Sequence, residues 1–329
     1  MSGTTVGQVT RMLSGYLCGT HSGGHVLGRT RRVGVADVRR ADAGVRASSP
    51  RLKRKMMLGE TIWMPNTRSE HVLRHALIRS LQHPDVLDLV FFGSIARAAT
   101  TGYSDVDAIL IVPNDLPGDA RRLRSLRSRA LAVERAVLAY QPMQHHGLLV
   151  VTPQYLDEGS ASALGMPLEA VETTRSLFGR AVEASFEATP DPAVTRFRGF
   201  IKPLLEARSW PRHAWYLHRL VSMFELTPTL YLQVTGRPTA KYRSFQVARV
   251  EFEKLWSPFD VLADVRERWP REPHRLLQIA SELLRNPWAA LAGWRRLSVA
   301  APSSCVALLD EHCLRGLQTV VRAMEERAG

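Results

Sequence analysis

With 329 residues, the chain has room for two domains, or for one large domain with a tail. Its 45% hydrophobic and 23% charged residues are ordinary for a soluble protein. No apolar run approaches the roughly 20 residues that span a bilayer. These features exclude a chain with membrane-spanning helices and predict a cytoplasmic protein with no membrane partner.

The net charge of +13 comes mainly from the start of the chain. Residues 1–60 hold eleven Lys or Arg against three acidic residues, Asp37, Asp42 and Glu60. This segment has no sustained hydrophobic period and cannot bury enough apolar surface to fold alone. We therefore predict a disordered basic leader over residues 1–60. A transit peptide, an RNA-binding arm, and an extension without a folded role before a later start at Met56 or Met57 all remain open.

The first regular elements follow this leader. Apolar residues recur at helical spacing over 66–83 and predict a helix there. Two continuous runs rich in β-branched and aromatic residues, 86–92 and 103–112, then predict two neighbouring buried strands.

The residues between and within these strands carry charge and hydrogen-bonding groups. Gly93-Ser94 predicts a turn whose backbone N–H groups and hydroxyl suit a phosphate. Asp105 and Asp107 are spaced by two, so on a strand both carboxylates point to one face. Two such acids repel each other unless a cation lies between them, and Mg²⁺ prefers one or two carboxylates together with substrate phosphates.

Gly93-Ser94, ten residues, and then Asp105-Val106-Asp107 resembles the signature of the DNA polymerase β-like nucleotidyltransferase superfamily. That superfamily includes kanamycin nucleotidyltransferase, the minimal nucleotidyltransferases and the CCA-adding enzymes. The resemblance covers roughly residues 67–155. A Gly-Ser turn followed by an edge strand with two exposed acids is the structural alternative.

The resemblance implies a fold and a set of roles. The fold would be α+β: a small mixed sheet with helices on one face over residues 61–157, then an all-helical substrate or lid domain over 158–329. Asp105 and Asp107 would hold Mg²⁺, or Mn²⁺, as metal and catalytic residues. The nucleotide would be bound by Gly93, Ser94, Arg97 and Ser104.

One strongly amphipathic helix is predicted after this core, over 119–140. Its polar side carries six arginines: Arg121, Arg122, Arg124, Arg127, Arg129 and Arg135. This run is either a solvated face or a contact for a polyanion such as RNA.

The next predicted strand, 148–152, departs from the resemblance. The superfamily commonly supplies a third carboxylate here, but the chain has no Asp or Glu between Tyr140 and Pro153. His145 or His146 is the candidate base, because imidazole titrates near neutral pH. An acid from the second half of the chain is an alternative, the candidates being Glu169, Glu172, Glu206 and Glu225. A degenerate protein that binds nucleotide without turnover is a third possibility.

From residue 157 onward the pattern predicts helices only. A basic loop, 235–244, joins two of them and contains Lys241, Tyr242 and Arg243. If this loop faces the cleft, Lys241 or Arg243 neutralises triphosphate charge and Tyr242 stacks on a base. An exposed basic linker is the alternative.

The sequence therefore predicts a metal-dependent nucleotidyltransferase that moves an NMP from an NTP, preferably ATP, to a hydroxyl acceptor with release of pyrophosphate. The acceptor would be a small molecule or a protein side chain, and nucleic acid is not favoured because the basic excess lies mostly in the leader. The competing hypothesis is a catalytically degenerate nucleotide-binding regulatory protein.

Overall fold

The computed structural model describes residues 52–141, 144, 147–157, 173–188, 190–237, 239, 241–270 and 300–329. Its strands are β1 (Leu52–Leu58), β2 (Asp88–Phe92), β3 (Asp107–Ile111), β4 (Leu149–Val151), β5 (Arg175–Ser176) and β6 (Val182–Ala188). Its helices are α1 (Arg68–Leu81), α2 (Gly93–Ala96), α3 (Ala120–Tyr140), α4 (Pro153–Asp157), α5 (Pro190–Glu206), α6 (Ala214–Val234), α7 (Lys241–Glu251), α8 (Ser257–Arg268), α9 (Ser303–Val306) and α10 (Glu311–Ala328), with 3₁₀ turns at Leu116–Gly118 and Glu253–Leu255.

A four-stranded sheet in the order β4-β3-β2-β5 forms the centre of the first part of the chain. β2 and β3 are antiparallel, and their register places Phe92 opposite Asp107. β3 and β4 are parallel, with α3 in the connection between them. The prediction that the two apolar runs form neighbouring buried strands is confirmed.

Both faces of this sheet are covered. On one face α1 and α3 pack side by side, since they share a buried cluster with alternate strand residues such as Phe91 and Leu110. α1 begins at a capping box, in which the Thr67 side chain accepts from Glu70 N–H and the Glu70 carboxylate accepts from Thr67 N–H. On the other face α4 and the antiparallel pair β1–β6 cover the remaining strand residues.

The last part of the chain is a helical bundle. α5, α6, α8 and α10 pack around one apolar cluster that contains the buried rings of Trp256 and Trp269. One residue from the sheet side, Tyr103, belongs to the same cluster. Among the described helices, none combines the length and apolarity needed to cross a membrane.

Two sequence expectations about the strands are wrong. The predicted disordered leader extends too far, because residues 52–58 form β1, whose partner β6 lies more than 120 residues away. The chain is also not purely helical after residue 157, because β5 pairs with β2 in the main sheet and β6 follows. β1, β5 and β6 each pair with a strand from a distant part of the chain, and a local sequence pattern does not reveal such pairing.

The mixed α and β class itself is confirmed. α6 is one continuous helix through Pro228, although proline commonly breaks or kinks a helix. The predicted basic loop is shorter than expected, since α7 begins at Lys241. The leader up to residue 51 lies outside the described residues. The same is true of a helix that the sequence predicts over 273–284, and of all but the last residue of another predicted over 288–300.

Candidate functional site

The turn after β2 brings Gly93 against the carboxylate of Asp107. Gly93 has φ +68, in the left-handed region that favours glycine. A Cβ at this position would overlap Asp107 Oδ2 and lie 3.3 Å from Asp107 Cγ. Glycine is therefore required here for two reasons, and the close approach sets the Asp107 carboxylate beside the Gly93-Ser94 turn.

Asp105 lies before β3, not on it, so the expectation that one strand presents both carboxylates is wrong. The chain turns at Thr101–Ser104: Ser104 N–H donates to the Thr101 carbonyl (3.1 Å), and Thr101 N–H donates to Ser104 Oγ (2.9 Å). β3 then begins only at Asp107. The two carboxylates thus flank Val106 at the point where a loop becomes a strand.

Two buried glutamines fix this loop. Gln144 Oε1 accepts from Val106 N–H (2.8 Å), and Gln144 Nε2 donates to the Val106 carbonyl (3.0 Å). Gln141 Nε2 donates to the carbonyls of Gly102 (3.0 Å) and Ser104 (2.6 Å). The Gln144 amide therefore satisfies the backbone of the residue between the two acids, as a neighbouring strand would otherwise do.

One buried glutamate of the helical bundle lies within electrostatic reach of Asp105 and of two cations from neighbouring helices. Glu225 of α6 is only 3% exposed, and its Oε2 lies 3.8 Å from Arg266 Nη1 of α8. Burial raises the pKa of Glu225, the charges of Lys241 and Arg266 oppose this rise, and the charge of Asp105 adds to it. All three charges are therefore within electrostatic reach of the Glu225 carboxylate.

Tyr103 connects the aspartate loop to α6. Its hydroxyl donates to the His218 carbonyl (2.5 Å) and lies 2.8 Å from Ser222 Oγ. In return, His218 Nε2–H donates to the Tyr103 carbonyl (2.8 Å), and the two rings stack with centroids 4.0 Å apart. Burial is the main cause that raises the pKa of Tyr103 and lowers that of His218, so both side chains are neutral near pH 7.

The remaining predicted nucleotide-binding residues differ in environment. Ser94 is buried and Arg97 half-buried, both in or next to the single turn α2. The Ser104 hydroxyl takes part in the turn with Thr101, so a structural role already accounts for it. Lys241 is half-buried at the start of α7, whereas Arg243 is exposed two residues later.

Of the candidates for the missing third group that the structure describes, Glu225 lies within electrostatic reach of Asp105. Glu206 is exposed at the end of α5, with Lys202 Nζ 4.0 Å away. His145, His146, Glu169 and Glu172 lie outside the described residues, as does the side chain of Tyr242.

The donor set at the aspartates fits a magnesium ion that arrives with a nucleotide. Within the described ranges, no three His, Cys, Asp or Glu side chains form a group able to hold a metal by themselves. Asp105 and Asp107 nevertheless provide two hard carboxylate ligands, and Mg²⁺ commonly takes one or two carboxylates with the remaining positions filled by phosphates and water. Mn²⁺ accepts the same oxygen ligands.

Sequence reasoning missed Arg266, Gln141, Gln144 and the Tyr103–His218 contact. No local signal marks Arg266, which is one of many arginines on helices. The only sequence signal near the two glutamines was the absence of Asp and Glu from their segment, and this gave no reason to assign them a role.

Comparison with protein-family models found no family whose model matches this chain, and no curated protein matches its sequence.

Proposed function

We propose that this chain is a metal-dependent nucleotidyltransferase that moves an NMP from an NTP to a hydroxyl acceptor and releases pyrophosphate. The observation that supports this proposal is Asp107, which lies against the Gly93-Ser94 turn, with Asp105 two residues before it in the loop that leads into β3. Lys241 of α7 and Arg266 of α8 lie within electrostatic reach of the Glu225 carboxylate, which in turn is within reach of Asp105. Two carboxylates next to a turn with backbone donors, together with basic side chains from the helical bundle, suit a triphosphate carried with a divalent metal.

Different residues would bind the metal ion and the phosphates. Asp105 and Asp107 would hold Mg²⁺, which when bound neutralises phosphate charge and polarises the phosphoryl group. Gly93 N–H and the Ser94 hydroxyl bind the β- and γ-phosphates. Arg97 adds a charged donor at the end of the same turn.

Lys241 and Arg266 neutralise the triphosphate from the helical side. Glu225 acts as a positioning residue: its buried carboxylate pairs with Arg266 and attracts Lys241, and so holds both cations toward the aspartates. Because the Glu225 side chain is 4% exposed, it does not itself touch the substrate. Positioning and charge neutralisation of this kind account for most of the catalysis in phosphoryl-type transfers.

The transfer step is an in-line displacement. The acceptor oxygen forms a bond to the α-phosphorus while the bond to the bridging oxygen breaks, and pyrophosphate leaves. The acceptor proton passes to a base, for which His146 is the residue predicted from the sequence. ATP is the favoured donor, and a small-molecule or protein hydroxyl the favoured acceptor.

A second function, nucleotide binding without transfer, is supported by Gln144. It stands in the segment where the related superfamily commonly has its third carboxylate, and its amide is engaged with the Val106 backbone. A regulatory protein of this type would bind nucleotide and metal but release no pyrophosphate.

The test measures pyrophosphate release from each of the four NTPs with Mg²⁺ or Mn²⁺, in the presence of small-molecule and protein fractions of a host extract. Asp107→Asn is expected to reduce release by at least about a hundredfold, because metal-mediated charge stabilisation is lost. Asp260→Asn, which removes an exposed acid paired with Arg249 on α7, is the matched control and retains activity. Unchanged release in Asp107→Asn would contradict the proposal, and metal-dependent binding without release would favour the regulatory function.

A further inference from the structure

The two helices that cover the sheet carry a strongly cationic outer surface. We call it the arginine face and define it by six exposed side chains: Arg68, Arg79, Arg121, Arg124, Arg127 and Arg135. The exposed rings of His71 and His75 lie on the same side of α1. The only acids on α1 and α3 are Glu70, which is buried, and Glu134, which is half-buried. Neither helix therefore carries an exposed carboxylate.

The arginines of α3 are spaced so that they repel one another. Arg121 and Arg122 occupy the first turn of α3, where the helix dipole disfavours positive charge, and the nearest acid is the N-cap residue Asp119, which accepts from the N–H groups of both. Arg121, Arg124 and Arg127 follow at three-residue steps, a spacing at which like charges repel. Arg122, which is half-buried and not part of the face, pairs with Asp85 at 2.7 Å and Asp115 at 2.6 Å. A bound polyanion would relieve the repulsion along the face.

The exposed surface of α10 shows that this is not a general property of the chain. There, arginines alternate with acids: Glu311 and Arg315 pair at 4.0 Å, and Glu325 and Glu326 follow Arg322 closely. The arginine face lacks such alternation. Nucleic acid was not favoured from the sequence because most of the excess positive charge lies in the leader. In the folded part, however, positive charge is concentrated on one surface.

We propose that the arginine face binds a nucleic acid strand through its phosphates, without reading its sequence. Guanidinium groups suit phosphate oxygens because they donate two parallel hydrogen bonds. Arg121 and Arg135 are about 21 Å apart along α3, at 1.5 Å per residue, which is the length of several nucleotides. The inference does not depend on the proposed transfer reaction.

The face ends close to the candidate site. Tyr140 at the end of α3 donates to Glu70 at the start of α1 (3.4 Å), and Gln141 holds the loop before Asp105. Arg68 and Arg135 therefore lie at the site end of the face, and Arg79 and Arg121 at the far end. A strand bound along the helices runs toward the aspartates.

The experiment measures the affinity of the full chain for a fluorescein-labelled single-stranded RNA of about 20 nucleotides, by fluorescence anisotropy between about 50 and 200 mM KCl. The test variant is R121Q/R124Q/R135Q. The control, R208Q/R315Q/R322Q, removes three exposed arginines elsewhere and so changes the net charge equally. The basic leader is present in both variants, so its contribution cancels.

The test variant is expected to bind at least about tenfold more weakly at low salt, and its slope of log Kd against log salt should fall by about 2, at roughly 0.7 per lost phosphate contact. The control should keep the affinity and slope of the wild type. Equal losses in the two variants would overturn the proposal, because binding would then follow net charge. Absence of RNA and DNA binding, with or without binding to phosphatidylserine vesicles, would overturn it as well.

Discussion

The candidate site has a sheet side, with Asp105 and Asp107, and a helix side, with Glu225, Lys241 and Arg266. The two sides position their charged groups in different ways. On the sheet side, Asp107 is set by a glycine contact, and the Asp105 loop by backbone hydrogen bonds from Gln141 and Gln144. On the helix side, Glu225 pairs with Arg266 through charge and lies within electrostatic reach of Lys241.

This difference indicates a division of labour. Backbone hydrogen bonds and close packing fix positions to a fraction of an ångström, which suits metal ligands. Long charged side chains adapt more easily, which suits a triphosphate that enters and leaves. Tyr103 joins the two sides, because it belongs to the aspartate loop and to the buried cluster of the helices.

Gly93→Ala should have the largest effect, because it disturbs the contact that positions Asp107. The left-handed backbone and the overlap with Asp107 together predict a loss of about 3 kcal/mol in the free energy of unfolding, and loss of metal-dependent nucleotide binding. Urea denaturation and calorimetric titration measure the two effects. Gly199→Ala is the control, since no atom lies within 4 Å of its added Cβ and α5 should gain up to about 1 kcal/mol. Equal stability of the two variants would contradict the account.

Gln144→Ala tests the support of the loop between the acids. Val106 is buried, so the substitution leaves its N–H and carbonyl without their partner and should lower the free energy of unfolding by about 2 kcal/mol. Weaker Mg²⁺-dependent nucleotide binding is expected as well, because the flanking aspartates lose their fixed spacing. The exposed Gln246→Ala in α7 should change neither property. A Gln144→Ala protein with wild-type stability would show that the loop is held by other contacts.

Glu225→Gln tests the helix side, because it should weaken binding of the NTP and yet stabilise the fold at high pH. With the cations less well held, the KM for the NTP should rise about tenfold, or about 1.4 kcal/mol, with a smaller change in kcat. A fall in kcat at unchanged KM would instead make Glu225 a base and refute its positioning role.

The same variant has a defined pH dependence. Burial raises the pKa of Glu225 above its ordinary value of 4.5, so the folded protein binds more protons than the unfolded chain above that pH. The stability that Glu225 contributes is complete below 4.5 and is lost as the pH rises through the raised pKa. Thermal unfolding should therefore show Glu225→Gln more stable than wild type at about pH 8, with a gap that narrows toward about pH 5. Arg266 remains one-third exposed and hydrated in the variant. A gap that widens toward low pH would contradict this sign.

Tyr103→Phe should have the smallest effect. It keeps the ring in the helical cluster but removes the hydroxyl that donates to the His218 carbonyl, at a loss of about 1 kcal/mol in the free energy of unfolding. Ser222→Ala, which removes only one neighbour of that hydroxyl, should lose less. Chemical denaturation of both variants measures the order, and the reverse order would count against Tyr103 as the connection.

The sheet side could be predicted from the sequence because its signals are local. Continuous apolar runs predicted β2 and β3, and the short spacing from Gly93 to Asp107 predicted a turn beside two acids. The helix side could not, because Glu225 and Arg266 meet only after the bundle packs, and nothing in their neighbourhoods distinguishes them. β1 and β6 escaped prediction for the same reason, since each strand depends on a distant partner.

The central claim is that the two sides form one nucleotide site, and a double-mutant cycle tests it most directly. Calorimetric titration of a non-hydrolysable ATP analogue with Mg²⁺ compares the wild type, Asp107→Asn, Lys241→Gln and the double variant. If both residues act on one bound triphosphate, the double variant should lose less than the sum of the single losses, with a coupling of at least about 0.5 kcal/mol. The claim would be contradicted if the losses in binding free energy were strictly additive, or if either single substitution left the affinity unchanged.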